Sequence, residues 1–201
     1  MNITTLTTDK ITSLLESVNQ AFPNWQGFSD PRFEEAEVIY KQKAVQKAQA
    51  LLKEADLLDL IVQGKFDEFV DRLNKVAQSS KNLLYLATPK QGDLSVLFQD
   101  NLDKPAFCQA FVELIYGSGS SPDRLAKYSS WLEENQLPNK WAFPTFFLFI
   151  CHPESEMFVK PLTSQWFLKF SGVLETLPSS PAPEIYAQLL NLCKQLWDEL
   201  Q

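Results

Sequence analysis

The chain has 201 residues, a net charge of −7 and 45% hydrophobic residues. That supports a sizeable core, in one large domain or two small ones, without disulfide or metal staples. The acidic balance argues against a general nucleic-acid surface, for which a basic footprint is expected, but leaves room for a small local patch. Three scattered cysteines, Cys108, Cys151 and Cys193, form no disulfide framework and imply a reducing, cytoplasmic setting. No basic segment followed by an apolar one opens the chain, so no secretory leader is read. The most apolar run, 146–151, is far shorter than the ~20 residues a bilayer crossing needs, so no membrane partner is expected.

A first helix is predicted from about Asp9 to Phe22, capped by Thr8, with Ile11, Leu14, Leu15 and Val18 on one face. Pro23-Asn24 stops it, and Trp25, Gly27 and Phe28 make a compact loop. Asp30-Pro31 reads as an N-cap followed by an N1 proline. The stripe Phe33, Ala36, Tyr40, Ala44, Ala48, Leu51 and Ala55 carries the next helix to about Ala55. Glu34, Glu35 and Glu37 suit its positive end. Lys41, Lys43, Lys47 and Lys53 make its second half basic, either as a solvated face or as a docking face for an acidic partner. Residues 57–63 and 66–80 pair as a helical hairpin across Gly64. No repeat at a fixed period is evident.

Residues 82–102 fit either short helices or one strand pair. Gly92-Asp93 lacks the glycine and lysine pattern of a phosphate loop. Asp103 and Pro105 open a helix that ends at Gly117, with Phe107, Phe111, Leu114 and Ile115 inward. GSGSS is an inter-helix loop, and Ser121-Pro122 starts the next helix. The stretch 137–172 holds two of the five Trp, seven of the fifteen Phe, the single His and one Cys. Within it, 146–151 has no polar face and must be buried all round. A helix from Pro144 to before Pro153 is preferred for it, and a hairpin over 145–160 is the alternative. Pro161 opens a helix with Leu162, Trp166, Phe167 and Phe170 inward, ended by Gly172. A proline-rich linker, 177–183, leads to a last helix striped by Ile185, Leu189, Leu192 and Leu196.

Chemical signals are sparse. Cys151 and His152, with Glu154 and Glu156 nearby, are the one constellation to test as a nucleophile–base pair or a metal site. Adjacent residues rarely face one another, and a second Cys or His at ligand spacing is missing. Glu133-Glu134, Glu34-Glu35 and Asp198-Glu199 read as solvated faces. No nucleotide-hydrolysing, zinc-protease or serine-hydrolase motif occurs, so no cofactor, metal or catalytic residue is assigned. Lys140-Trp141, Lys160, and Lys169 with Trp166 make a cationic and aromatic set of the kind that stacks on bases and meets phosphates. Lysine stems lying across core aromatics are the structural alternative.

Four pieces then carry a likeness: Pro138-Asn139-Lys140-Trp141, Phe143-Pro144-Thr145, His152-Pro153 and Phe158-Val159-Lys160-Pro161. With 185–196, they resemble the region upstream of the AAA+ module in bacterial, often cyanobacterial, McrB-like restriction proteins. Looser likeness runs back through Asn82-Leu83-Leu84, Gly92-Asp93-Leu94, Phe107-Cys108 and 121–125, covering roughly residues 80–200. The resemblance implies the non-catalytic N-terminal module of a longer, defence-related protein. Its partner would be an AAA+ motor in the same chain or complex, and its target modified DNA or a docked protein. Lys140, Trp141 and Lys160 join the resembling motifs to suitable residue types and are the ligand-binding candidates. A stand-alone protein adaptor and a small Cys/His hydrolase or metal enzyme are the alternatives. The expected fold is mostly α: one multi-helix domain over 1–201, with 1–80 a helical-hairpin portion, 81–201 the aromatic-rich portion and a short β-hairpin as its variable element.

Overall fold

Short polar caps start the helices. Thr7, Asp30, Asp103 and Ser120 each accept a hydrogen bond from a backbone N–H two or three residues ahead, satisfying a donor the helix itself leaves open. The structure, a computed structural model, describes residues 5–80, 82–86 and 88–200. Among them are nine helices and no strand. The first is α1 (Thr8–Ala21). The second, α2 (31–51), runs on through Pro31–Phe33, a π-turn at Glu34–Val38 and Ile39–Leu51. Then come α3 (Glu54–Val62), α4 (Phe66–Gln78), α5 (Lys104–Tyr116), α6 (Ser121–Glu134), α7 (Ala142–Cys151), α8 (Pro161–Ser171) and α9 (Pro183–Leu200). A single 3₁₀ turn, Ser95–Phe98, precedes α5. For 145–160 the helix holds, ending at Cys151, whereas the described residues of 82–102 form neither α-helices nor a strand pair but turns around the 3₁₀ turn.

The fold is a compact all-α domain centred on α7. Every residue from Trp141 to Leu148 is buried, as is Ile150, because a helix without a polar side must be covered on all sides. α2 and α5 pack directly on it, and α5 also meets α3, α4 and α6. Between α5 and α7 the rings interlock edge to face. Phe111 and Phe147 lie 5.1 Å apart at 83°, with Phe69 of α4 at 5.8 Å from Phe111 on the other side. Such edge-to-face pairs add about 0.5–1.5 kcal/mol each beyond burial. One hydrophobic cluster reaches from Leu6 to Leu192, so the two portions read from the sequence share a core.

Buried polar groups tie the later segments to α7. The Thr145 hydroxyl donates to Trp141 O and accepts from Val159 N–H, at 2.6 and 3.1 Å. Tyr186 of α9 donates to the Glu156 carboxylate, and Trp141 Nε1 donates to Pro178 O at 2.7 Å. The segment 152–160 and the linker before α9 are thus held by hydrogen bonds that would be costly to leave unmade in the interior.

Three expectations need correction. The cap of α1 is Thr7, not Thr8, and the helix closes at Ala21. α2 stops at Leu51 and not near Ala55. Leu52 and Leu57 are both fully buried; five residues apart they would point about 140° from each other on one straight helix, and the break at Leu52-Lys53 turns both inward. The inner face of α8 was also misassigned. Ser164, Leu168 and Ser171 are its buried residues, with Phe167 packed at the edge of the core, while Leu162 is 86% and Trp166 53% exposed.

Phe147→Ala is expected to cost about 3–5 kcal/mol of unfolding free energy, as for other buried aromatic truncations. Leu162→Ala should change it by no more than about 0.5 kcal/mol. Urea unfolding followed by circular dichroism measures both.

Candidate docking site

The three ligand-binding candidates lie in different settings. Trp141 is 1% exposed and its indole N–H is already bonded to Pro178 O. Its ring faces meet core atoms, so neither is open to a base. Lys140 and Lys160 stand on either side of the 82–93 loop. The Lys140 ammonium donates to Gln91 O at 2.7 Å, and Lys160 donates to Asn82 O at 3.2 Å. Both also face Asp93, whose carboxylate accepts from Tyr85 N–H. Burial raises the Asp93 pKa, against the pull of that hydrogen bond and of the two lysines. A methyl group added at Gly92 would fall 2.6 Å from Tyr85 O, so the loop closes only over a glycine. These lysines act as clamps on this loop.

Cys151 and His152 both meet Tyr116 of α5, whose ring lies edge-on to the imidazole at 5.5 Å, and each has a polar partner of its own. His152 ends α7, and its Nε2 lies 2.9 Å from Ile115 O. The Cys151 thiol sits beside the Tyr116 hydroxyl, and burial pushes its pKa up to about 12. Glu156 is engaged by Tyr186. Among the described residues no group of three or more His, Cys, Asp or Glu converges as metal ligands would. Glu133, Glu134, Glu34, Glu35, Asp198 and Glu199 are all exposed. No helix of the described residues is long and apolar enough to cross a membrane.

What the fold does assemble is a groove of about 710 Å³ between α1, α2, α8 and α9. Its floor is Phe149, Met157, Phe158, Cys193 and Leu196, and Trp166 and Phe167 of α8 form one wall. α2 contributes Glu37, from its π-turn, and Tyr40 and Lys41, from the α-helical turn that follows. Tyr40 and Lys41 both donate to the Glu37 carboxylate, at 3.2 and 3.1 Å, and the Lys41 ammonium lies 5.2 Å from the Tyr40 ring centre. The floor sulfurs of Met157 and Cys193 are 3.6 Å apart. They form a soft, adaptable surface of the kind used where a binding face must fit its partner.

Outside the groove the apolar surface continues. Leu162, Trp166 and Phe170 recur every fourth residue along α8, and the Trp166 and Phe170 rings stack at 5.4 Å and 17°. α8 therefore has two working faces, an inner one of small serines around Leu168 and an outer aromatic one. Exposed apolar patches of this kind mark interaction surfaces. Of the groups read from the sequence, the groove gathers Lys160, Trp166, Lys41 and Glu156 and leaves out Lys140, Trp141 and His152. The sequence names Tyr40 only as part of a core stripe and Phe158 only within a resembling motif, and it gives Phe149 and Met157 no role; the i, i+3, i+4 spacing of Glu37, Tyr40 and Lys41 is the available signal. Of the basic run on α2, Lys41 is thus paired, and Lys43 and Lys53 are exposed.

The thiols give a pH test. Burial raises Cys108 and Cys151 from 9.0 to about 12 and Cys193 to about 11. The unfolded chain ionises these groups near their ordinary value and the folded chain only near 11–12. Their contribution is therefore complete below pH ~9 and disappears as the pH rises through the folded values. Tyr128 and Tyr186, raised by the same burial, act in the same direction. The urea midpoint should fall between pH ~9 and ~11, and iodoacetamide at pH ~8 should label the thiols slowly unless urea is present. No protein-family model matches the sequence, and comparisons with curated proteins and with solved structures return no significant match.

Proposed function

We propose that this chain is a non-catalytic docking domain that takes a protein partner in the groove between α2 and α8 and on the adjoining face of α8. The observation that carries the reading is the stripe of exposed Leu162 and Trp166 with half-buried Phe170 stacked on Trp166, next to an aromatic-lined groove. Exposed tryptophans beside a concave apolar surface are the residues that dominate binding energy at interfaces. The resemblance of residues 80–200 to the region upstream of McrB-like AAA+ modules nominates an AAA+ motor as that partner. The domain's work would then be to report attachment to the motor.

Reading of modified DNA is the other role the resemblance implies. Protein docking is favoured over it by the burial of Trp141, which closes the one aromatic among the candidates to a base, and by the net charge of −7. The test measures both. Trp166→Ala should weaken a natively isolated complex with its protein partner by about tenfold or more, with an unchanged melting temperature. Methylated and unmodified duplexes should bind equally poorly even at about 50 mM salt, where phosphate contacts are strongest. Tight, salt-sensitive binding of methylated duplex that Lys160→Ala abolishes, with partner binding indifferent to Trp166→Ala, would overturn the reading.

A further inference from the structure

The charges around the outer face of α8 say what kind of segment it takes. Lys160 precedes the first turn, with its ammonium on Asn82 O; Lys10 of α1 reaches the other end, with its ammonium on Ser171 O at 2.8 Å. Neither has a carboxylate within ion-pair distance among the described residues, whereas Lys169 pairs with Glu175 and Lys41 with Glu37. The acids near this surface are thus Glu37, Glu156, Glu175 and Asp93, the first and third of them paired with a lysine, Glu156 held by Tyr186, and Asp93 held by Tyr85 N–H while facing Lys160 from the loop side. On a chain of net charge −7, the stripe is bracketed by two ammonium groups that make no ion-pair contact and that each use one donor on a backbone carbonyl, leaving further N–H donors for a carboxylate. From residue 160 to residue 171 a helix rises about 16 Å.

We propose, building on the docking reading above, that the occupant is an acidic amphipathic α-helix of the partner protein lying alongside α8. Its apolar side chains meet Leu162, Trp166 and Phe170. Two carboxylates about three turns apart reach Lys10 and Lys160 at the two ends. The spacing every fourth residue on α8 suits a helix laid into it, whose own anchors recur at three and four residues. A strand has no sheet edge to join among the described residues. An anionic bilayer offers the same chemistry of carboxylate or phosphate over apolar groups. It would meet the whole acidic molecule, whereas a short peptide feels only charges within about 8 Å, the screening length at physiological salt.

Three probes test this on the whole chain: a 15-residue helical peptide with a Leu/Trp face and glutamates eleven residues apart, the same peptide with lysines in their place, and vesicles containing phosphatidylserine. Isothermal titration gives affinities, and amide shifts in 160–172 locate the contact. The glutamate peptide should bind about tenfold tighter than the lysine peptide, and Lys10→Glu with Lys160→Glu should reverse that order. Because Lys160→Glu also loosens the 82–93 loop, melting is read in parallel. Lys10→Glu alone should still reduce the preference. Equal binding of the two peptides at α8, or binding to vesicles in their place, overturns the acidic-helix occupant and leaves groove docking intact. No shift at α8 with any probe, together with native partner binding that is indifferent to Trp166→Ala, overturns both.

Discussion

The contact between α5 and α7 is the constraint from which the remaining architecture follows. Phe111 and Phe147 meet edge to face at 5.1 Å, and Phe107, Phe143 and Phe146 extend the block on either side. Each ring removes roughly 150–250 Å² from water. α7 offers no polar side on which to leave solvent, so other elements must close over it. α2 covers one flank, α5 another, and the returning segment 152–160 is drawn against it by Thr145. Only after that does α9 find its place, through Tyr186 and the Glu156–Met157 stretch.

A packed centre of this kind explains why suitable residue types turned out to be structural. Trp141 starts α7, and its indole is consumed by the core and by Pro178. Lys140 precedes α7 and Lys160 precedes α8, and their ammonium groups tie down Gln91 O and Asn82 O. Cys151 and His152 close the far end against the last turn of α5, Cys151 beside the Tyr116 hydroxyl and His152 edge-on to the Tyr116 ring with Nε2 on Ile115 O. The one dense chemical cluster of the sequence thus ties α7 to α5.

Function is left to the periphery. α8 turns only Ser164, Leu168 and Ser171 fully inward. Its large side chains are then free to face out. Glu37 of the π-turn, with Tyr40 and Lys41 after it, lines the groove beside them. The surface proposed for docking and the Phe111–Phe147 block thus lie on different helices.

Composition and periodicity by themselves determined that the chain is helical, that 142–151 lies at its centre, and where most helices begin. Those features follow from local forces: side-chain caps, proline at first turns, and the need to cover an element without a polar face. Helix 161–171 shows where that reasoning ends. Its Leu162, Trp166 and Phe170 stripe and its Ser164, Leu168 and Ser171 stripe are both regular, and hydrophobicity favours the wrong one. Which stripe turns inward is set by contacts distant in sequence, such as Lys10 with Ser171. The groove has the same origin. Tyr40, Phe149, Met157, Phe158 and Leu196 come from four separate stretches, and only tertiary packing brings them to one surface.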